Sequence, residues 1–143
     1  MDKKYTWNLE SMYENDSLIE KDRQAVKKDL DLIEKLKENP LDNIKELLEA
    51  IERSERTLTN VMVYSFMRKD EDSRVSKYQK MDMENSTLAV EHSSKTAFLT
   101  PFILSLSEDE TKALMEREDL KHPGACRSPL SGIAFLVVIV PSW

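Results

Sequence analysis

The chain is 143 residues long, room for one domain or for a fragment of a larger protein. Hydrophobic residues make up 40% and charged residues 34%, the balance of a soluble helical protein with much exposed surface. The net charge is −6, and residues 1–121, with 20 Lys/Arg against 27 Asp/Glu, carry −7; this repels nucleic-acid phosphates and anionic lipid, so neither nucleic acid nor a membrane is expected as a partner.

The N-terminal stretch MDKKYTWNLESMYEND lacks the apolar core of a secretory signal. The one cysteine, Cys126, cannot form an internal disulfide. Both features fit a reducing, cytoplasmic setting. Residues 1–122 hold no glycine and only two prolines, Pro40 and Pro101. Long glycine-free runs of Glu, Lys and Leu favour helix, because these side chains lose little rotamer freedom there.

A first helix is expected from Ser17, where SLIE reads as a capping box between Ser17 and Glu20. Ile19, Val26, Leu30, Ile33 and Leu36 keep to one face, and the helix should close near Asn39, ahead of Pro40. A second helix, capped by Asp42 or Asn43, should run to about Met67 on a stripe of Ile44, Leu47, Leu48, Ile51, Leu58, Val61 and Met62, interrupted by Glu55. RKDEDS reads as a charged turn. A third helix then starts near Ser73, with Val75, Tyr78, Met81, Asn85, Leu88, His92 and Leu99 spaced by threes and fours until Pro101 ends or kinks it. SEDE at Ser107–Glu110 is a second capping box, opening a short helix anchored by Leu106, Leu114 and Met115. The expected fold is all-α, with long antiparallel helical hairpins in a small bundle and an irregular or extended C-terminal tail.

Catalytic motifs are missing. There is no H-E-x-x-H. His92 and His122 stand thirty residues apart without ligand-type neighbours at helical spacing, and His92 lies on the apolar stripe, where a hydrogen-bonded, partly buried histidine is expected. The acidic turn from Asp70 has Val75 at the sixth position and Met81 at the twelfth, where an EF-hand needs Gly and Glu. Both glycines lie in the tail, so no phosphate-binding glycine loop is possible. Cys126 lacks a neighbouring base and reads as incidental. The acidic runs Glu108–Glu110 and Glu116–Asp119 read as solvated helix faces, and Met81–Met83 as core. No catalytic, cofactor-binding or metal-binding residue is assigned.

Three phrases together resemble the oligoendopeptidase F family of thimet-oligopeptidase-like zinc metallopeptidases. YTWNLESMYEND at Tyr5–Asp16 is similar to its Trp-x-Leu-x-x-x-Tyr opening. VYSFMRKDEDSRVSKYQKM at Val63–Met81 resembles its Tyr-rich helix end, Asp-containing turn and following Tyr-Gln. AFLTPFILSLSEDE at Ala97–Glu110 resembles its aromatic-x-x-Pro-Glu-Ile segment, with Phe102 where the family usually has Glu. The resemblance covers residues 5–121 and implies an N-terminal helical domain that walls a cavity for oligopeptides. It implies no cofactor in this chain; the zinc, its two histidines, a downstream Glu and the general base belong to a C-terminal catalytic domain, the expected partner. Trp7, Leu9 and Tyr13 are then an N-terminal packing anchor, and the helices around Tyr64, Tyr78 and Pro101 are scaffold. Alone, such a fragment is expected to be inactive and to self-associate through exposed apolar faces. The competing expectation is an independent helical protein–protein interaction module.

Residues 122–143, HPGACRSPLSGIAFLVVIVPSW, depart from the body in composition, charge and periodicity. Their apolar run Ile133–Val140 is far shorter than the ~20 residues of a membrane-spanning helix. An out-of-frame or artificial terminus is expected; the alternative is a real β-type or interfacial segment that is also an aggregation hazard.

Overall fold

The computed structural model describes residues 7–117 and Leu120. A 3-10 turn at Leu9–Ser11 leads into α1 (Ser17–Leu36), α2 (Ile44–Glu71), α3 (Ser76–Thr96), α4 (Leu99–Leu104) and α5 (Glu108–Glu116). Among the described residues there is no strand. The tail and its apolar run lie outside the described residues.

Helices α1, α2 and α3 run up, down and up, with α2 packed against both neighbours. At 1.5 Å per residue α2 is about 42 Å long, so one core cannot span it. It is covered in three sections. Val26, Leu30, Ile33 and Leu36 of α1 meet Leu47, Ala50, Ile51 and Leu58 of α2 and Leu88 of α3. Toward the C-terminus of α2, Val61 and Tyr64 pack with Leu9, Tyr13, Ile19 and Met81. At its N-terminus, Ile44 and Leu48 are covered by Leu120, with Leu99, Phe102 and Leu114 packed around them. Each buried Leu, Ile or Val contributes roughly 1.5–3 kcal/mol, whereas exposed ion pairs are worth at most about 1 kcal/mol. The apolar stripes therefore decide the fold.

The expected helices are present, with corrected ends. The Ser17–Glu20 box does not form. Asp16 is the cap residue of α1, and both the amide and the hydroxyl of Ser17 donate to Asn15 Oδ1. Glu20 is occupied by Gln24 and Arg23 instead. Asn43 flanks α2 without a side-chain cap; its Nδ2 donates to Asn39 O at 3.0 Å. Helix α2 runs one turn past Met67, because Arg68 pairs with Glu71 at 3.2 Å and Lys69 with Asp82 at 2.7 Å. Cations in a last helical turn also suit the helix dipole. The start of α3 moves to Ser76, because Asp72 accepts from the backbone and guanidinium of Arg74 and holds a turn. Those bonds keep the Asp72 carboxyl at about 2.

Pro101 breaks the helical path as expected, and it does so from inside the helix that follows. It is the third residue of α4, where a missing N–H costs nothing. Its ring excludes a normal helical carbonyl four residues back, at Ala97, and the break between α3 and α4 falls at Ala97–Phe98. The Ser107–Glu110 capping box is formed in full. Met115 is not an anchor, being 54% exposed, while Leu106 and Leu114 are half-buried. Met81 is core but Met83 is 71% exposed, and Met62 lies at the edge of the α2 stripe, exposed.

Leu30 is fully buried between the three long helices. Leu30→Ala is expected to cost roughly 3 kcal/mol, read as a lowered urea midpoint at unchanged slope. Met83→Ala, on the outer face of α3, should stay within about 0.5 kcal/mol of the parent. Equal costs would contradict this packing.

Candidate functional site

The residues singled out from the sequence do not all meet. Leu9, Tyr13 and Tyr64 are buried together where α1 begins and α2 ends, and Tyr78 packs against them from α3. Trp7 is not part of this anchor, being half exposed. Pro101 is exposed in α4, part of the segment that packs at the opposite end of α2.

This junction is a network of charges and aromatics. The Tyr64 hydroxyl donates to Asp16 Oδ1 at 2.8 Å, and Lys77 Nζ donates to Asp16 Oδ2 at 2.5 Å. Arg68 Nε donates to the Tyr64 hydroxyl at 3.0 Å, and its guanidinium lies over the rings of Tyr64 and Tyr78 at 5.2 and 6.0 Å. Tyr13 meets Tyr64 edge-on with centroids 5.1 Å apart, and its hydroxyl donates to Asp22 at 2.7 Å. Burial would raise the Asp16 carboxyl, but the hydrogen bonds from Lys77 and Tyr64 outweigh it and hold the group below its ordinary range. Burial, and then the bond to Asp22, push the Tyr13 phenol up, so it stays protonated. Asp16 is bonded from α2 and from α3, and Arg68 of α2 lies over the Tyr78 ring of α3. The network therefore fixes how the N-terminal segment and α3 meet α2.

The second constellation is Ser54 and His92, both buried, with Oγ and Nε2 2.9 Å apart. A Ser–His contact is half of a hydrolytic triad, but here both side chains are committed to the fold. The Ser54 hydroxyl also lies 2.9 Å from Ile51 O; when it donates there, Nε2–H is the donor to Oγ. A general base must present its lone pair to the nucleophile's proton. Ser54 also has no exposed surface for a substrate to reach. The pair braces α2 against α3, and burial, opposed by the Glu55 charge, lowers the imidazole below 6.5. This matches the histidine expected from its place on the stripe.

Asp29, also buried, receives two nitrogens of Arg53 at 2.5–3.2 Å and ties α1 to α2. Nothing in the sequence pairs these two, since the contact depends on helix register. Asn85, fully buried, reaches Val61 O at only 3.4 Å. Among the described residues its Oδ1 has no partner, and neither does Arg23 Nε.

Zinc is the metal that the family resemblance implies for a full-length enzyme, and it takes about four nitrogen, sulfur or oxygen donors. Among the described residues no group of three or more His, Cys, Asp or Glu is placed to hold a metal ion, and His92 is committed to Ser54. These residues do not fit the metal. His122 and Cys126 lie outside the described residues. No helix among the described residues is long and apolar enough to cross a membrane.

Fold and site thus define an all-helical segment whose polar clusters join helices to one another. Its relatives are peptidases. Oligopeptidase PepF of Bacillus subtilis is 33% identical over 120 residues, covering 81% of this chain and 18% of the relative. Group B oligopeptidase PepB of Streptococcus agalactiae is 30% identical over 125 residues, covering 85% and 21%. The plasmid oligoendopeptidase F of Lactococcus lactis subsp. cremoris is 30% identical over 124 residues, covering 83% and 21%. The chain is a homologue of these oligoendopeptidase F proteins and spans about one fifth of their length. No family model and no solved structure matches it.

The two clusters titrate in different windows. A neutral His92 held below its ordinary 6.5 means that the unfolded chain takes up a proton first. Its share of stability is complete above 6.5 and falls as the pH drops through that value. Asp16, held below 3.8, gives stability that is present above 3.8 and lost as the pH falls through its lower folded value. Urea midpoints between pH 8 and 2 should show both losses, His92→Gln should remove the first, and Asp16→Asn should flatten the second. Tyr64→Phe should cost about 1–3 kcal/mol at pH 7. A midpoint that stays flat from pH 7.5 to 5.5 in the parent would contradict the buried, neutral His92.

Proposed function

We propose that the chain is the N-terminal helical domain of an oligoendopeptidase F-like zinc metalloendopeptidase. In the full-length cytoplasmic enzyme it forms one wall of the cavity that admits oligopeptides, and by itself it is inactive. The observation that carries this reading is the 33% identity over 120 residues to an oligopeptidase of which the chain spans only 18%. The catalytic domain is then its partner and supplies the metal, the base and most of the peptide contacts.

The chemistry of the described residues supports the same reading. A wall needs rigidity and shape, and three long helices pinned at the Asp16 junction and at the Ser54–His92 brace provide both. Within the proposal residues 1–121 are the domain, and residues 122–143 are an out-of-frame or artificial terminus. Their eight-residue apolar run has no counterpart in the amphipathic body.

Two assays test the reading. The purified chain, incubated with zinc and an internally quenched peptide, should neither retain stoichiometric metal nor cleave. A chimera carrying residues 5–121 of this chain in place of the matched segment of the Bacillus subtilis relative should cleave the same peptide. Metal-dependent cleavage by the isolated chain, or a folded but inactive chimera, would overturn the proposal. Deleting residues 122–143 should leave the helical circular dichroism unchanged and raise solubility; loss of the fold would assign the tail to the core.

A further inference from the structure

Beyond the interruption at Glu55, α2 carries a second apolar section that nothing among the described residues covers. Met62 follows Ile44 by 18 residues and Phe66 follows Leu48 by 18 residues, which is about five helical turns in each case. The two pairs therefore share one angular face, roughly 27 Å apart along the axis. At the lower pair the face is closed: Ile44 is 2% exposed and Leu48 5%, under Leu120 and the half-buried Leu99, Phe102 and Leu114. At the upper pair it is open, with Met62 36% exposed, Phe66 54%, and Val63 beside them 42%.

The open section has a defined edge. Lys69 Nζ sits 5.0 Å from the Phe66 ring centroid and bonds Asp82 of α3 at 2.7 Å, so the patch borders the α2–α3 seam. It shares the angular face that α4 and the residues after it cover below, and the exposed Glu55 and Thr59 separate the two apolar sections. The relatives carry about four fifths of their length beyond the segment that this chain matches. Covering Met62, Val63 and Phe66 requires an apolar surface with polar neighbours for Lys69 and Asp82, which a further part of one folded enzyme supplies.

We propose that the face formed by Met62, Val63 and Phe66 is the docking surface for the catalytic portion of the enzyme. The proposal rests on the reading of the chain as one domain of such an enzyme. The outer face of α3, with Val90 70% exposed but ringed by Ser86, Thr87, Ser93 and Ser94, stays in solvent. Phe66 is the anchor, the patch's one aromatic and its most exposed member.

The test is cysteine accessibility in a Cys126→Ser background. Phe66→Cys and Val90→Cys should both react quickly with a maleimide in the isolated 143-residue chain. In the chimera with the Bacillus subtilis relative, any other cysteines being replaced, position 66 should react at least tenfold more slowly and position 90 at its former rate. Equal reaction at position 66 in both proteins overturns the surface, as does protection of position 66 in a dimer of the isolated chain, which would make a second copy the occupant. Peptidase activity of the unsubstituted chimera reads the domain assignment separately. An active chimera with a freely reactive position 66 rejects only the surface, and a folded, inactive chimera rejects the assignment.

Discussion

The structure depends on covering α2. A 28-residue helix with an apolar stripe along most of its length is not stable alone in water, and its stability comes from what packs on it. Helix α1 covers one flank, α3 another, and α4 with Leu120 closes the N-terminal end. The connections are short, so the three long helices lie antiparallel as neighbours in sequence. The rest of the described structure, including the turn at Asp72–Val75 and the break before α4, adjusts to keep that cover in register.

The polar groups inside this cover serve the same end. Asp16 gathers a tyrosine from α2 and a lysine from α3 at the start of α1, so one carboxylate orients three elements. Ser54 and His92 meet where the α2 stripe would otherwise carry a second aliphatic residue, and they satisfy each other. Such buried hydrogen bonds add modest net stability but penalise any slip in register, because a slip leaves each group unpaired. The geometry that could suggest hydrolytic chemistry, a serine beside a histidine, is thus accounted for by burial and by the bracing of α2 against α3.

Much of this was legible in the sequence, for physical reasons. The absence of glycine over 122 residues and the regular stripe of Ile19, Val26, Leu30, Ile33 and Leu36 lead directly to helix, and all five are buried. The position of His92 on its stripe was enough to expect a hydrogen-bonded core histidine. Local competition was harder to see. Ser17 has the right spacing to Glu20 for a capping box, but Asn15 is nearer and takes both its amide and its hydroxyl. Pro101 marks a helix boundary, yet the steric effect acts four residues earlier. Methionines at Met62, Met83 and Met115 fit a core by type and are exposed in fact, because composition does not say which helix face has a neighbour. The Asp29–Arg53 pair and the Tyr64–Asp16 bond join residues 24 and 48 positions apart, and only the packed register reveals them.

The central claim is that α1, α2 and α3 form one cooperative unit with α2 as its spine. Native-state hydrogen exchange measures this most directly, amide by amide in increasing urea. The account predicts that amides of α2 from Leu47 to Tyr64 exchange only through global unfolding, with the same free energy as the middle turns of α1 and α3. Exchange of the C-terminal half of α2 at a much lower free energy, independent of α1, would contradict it.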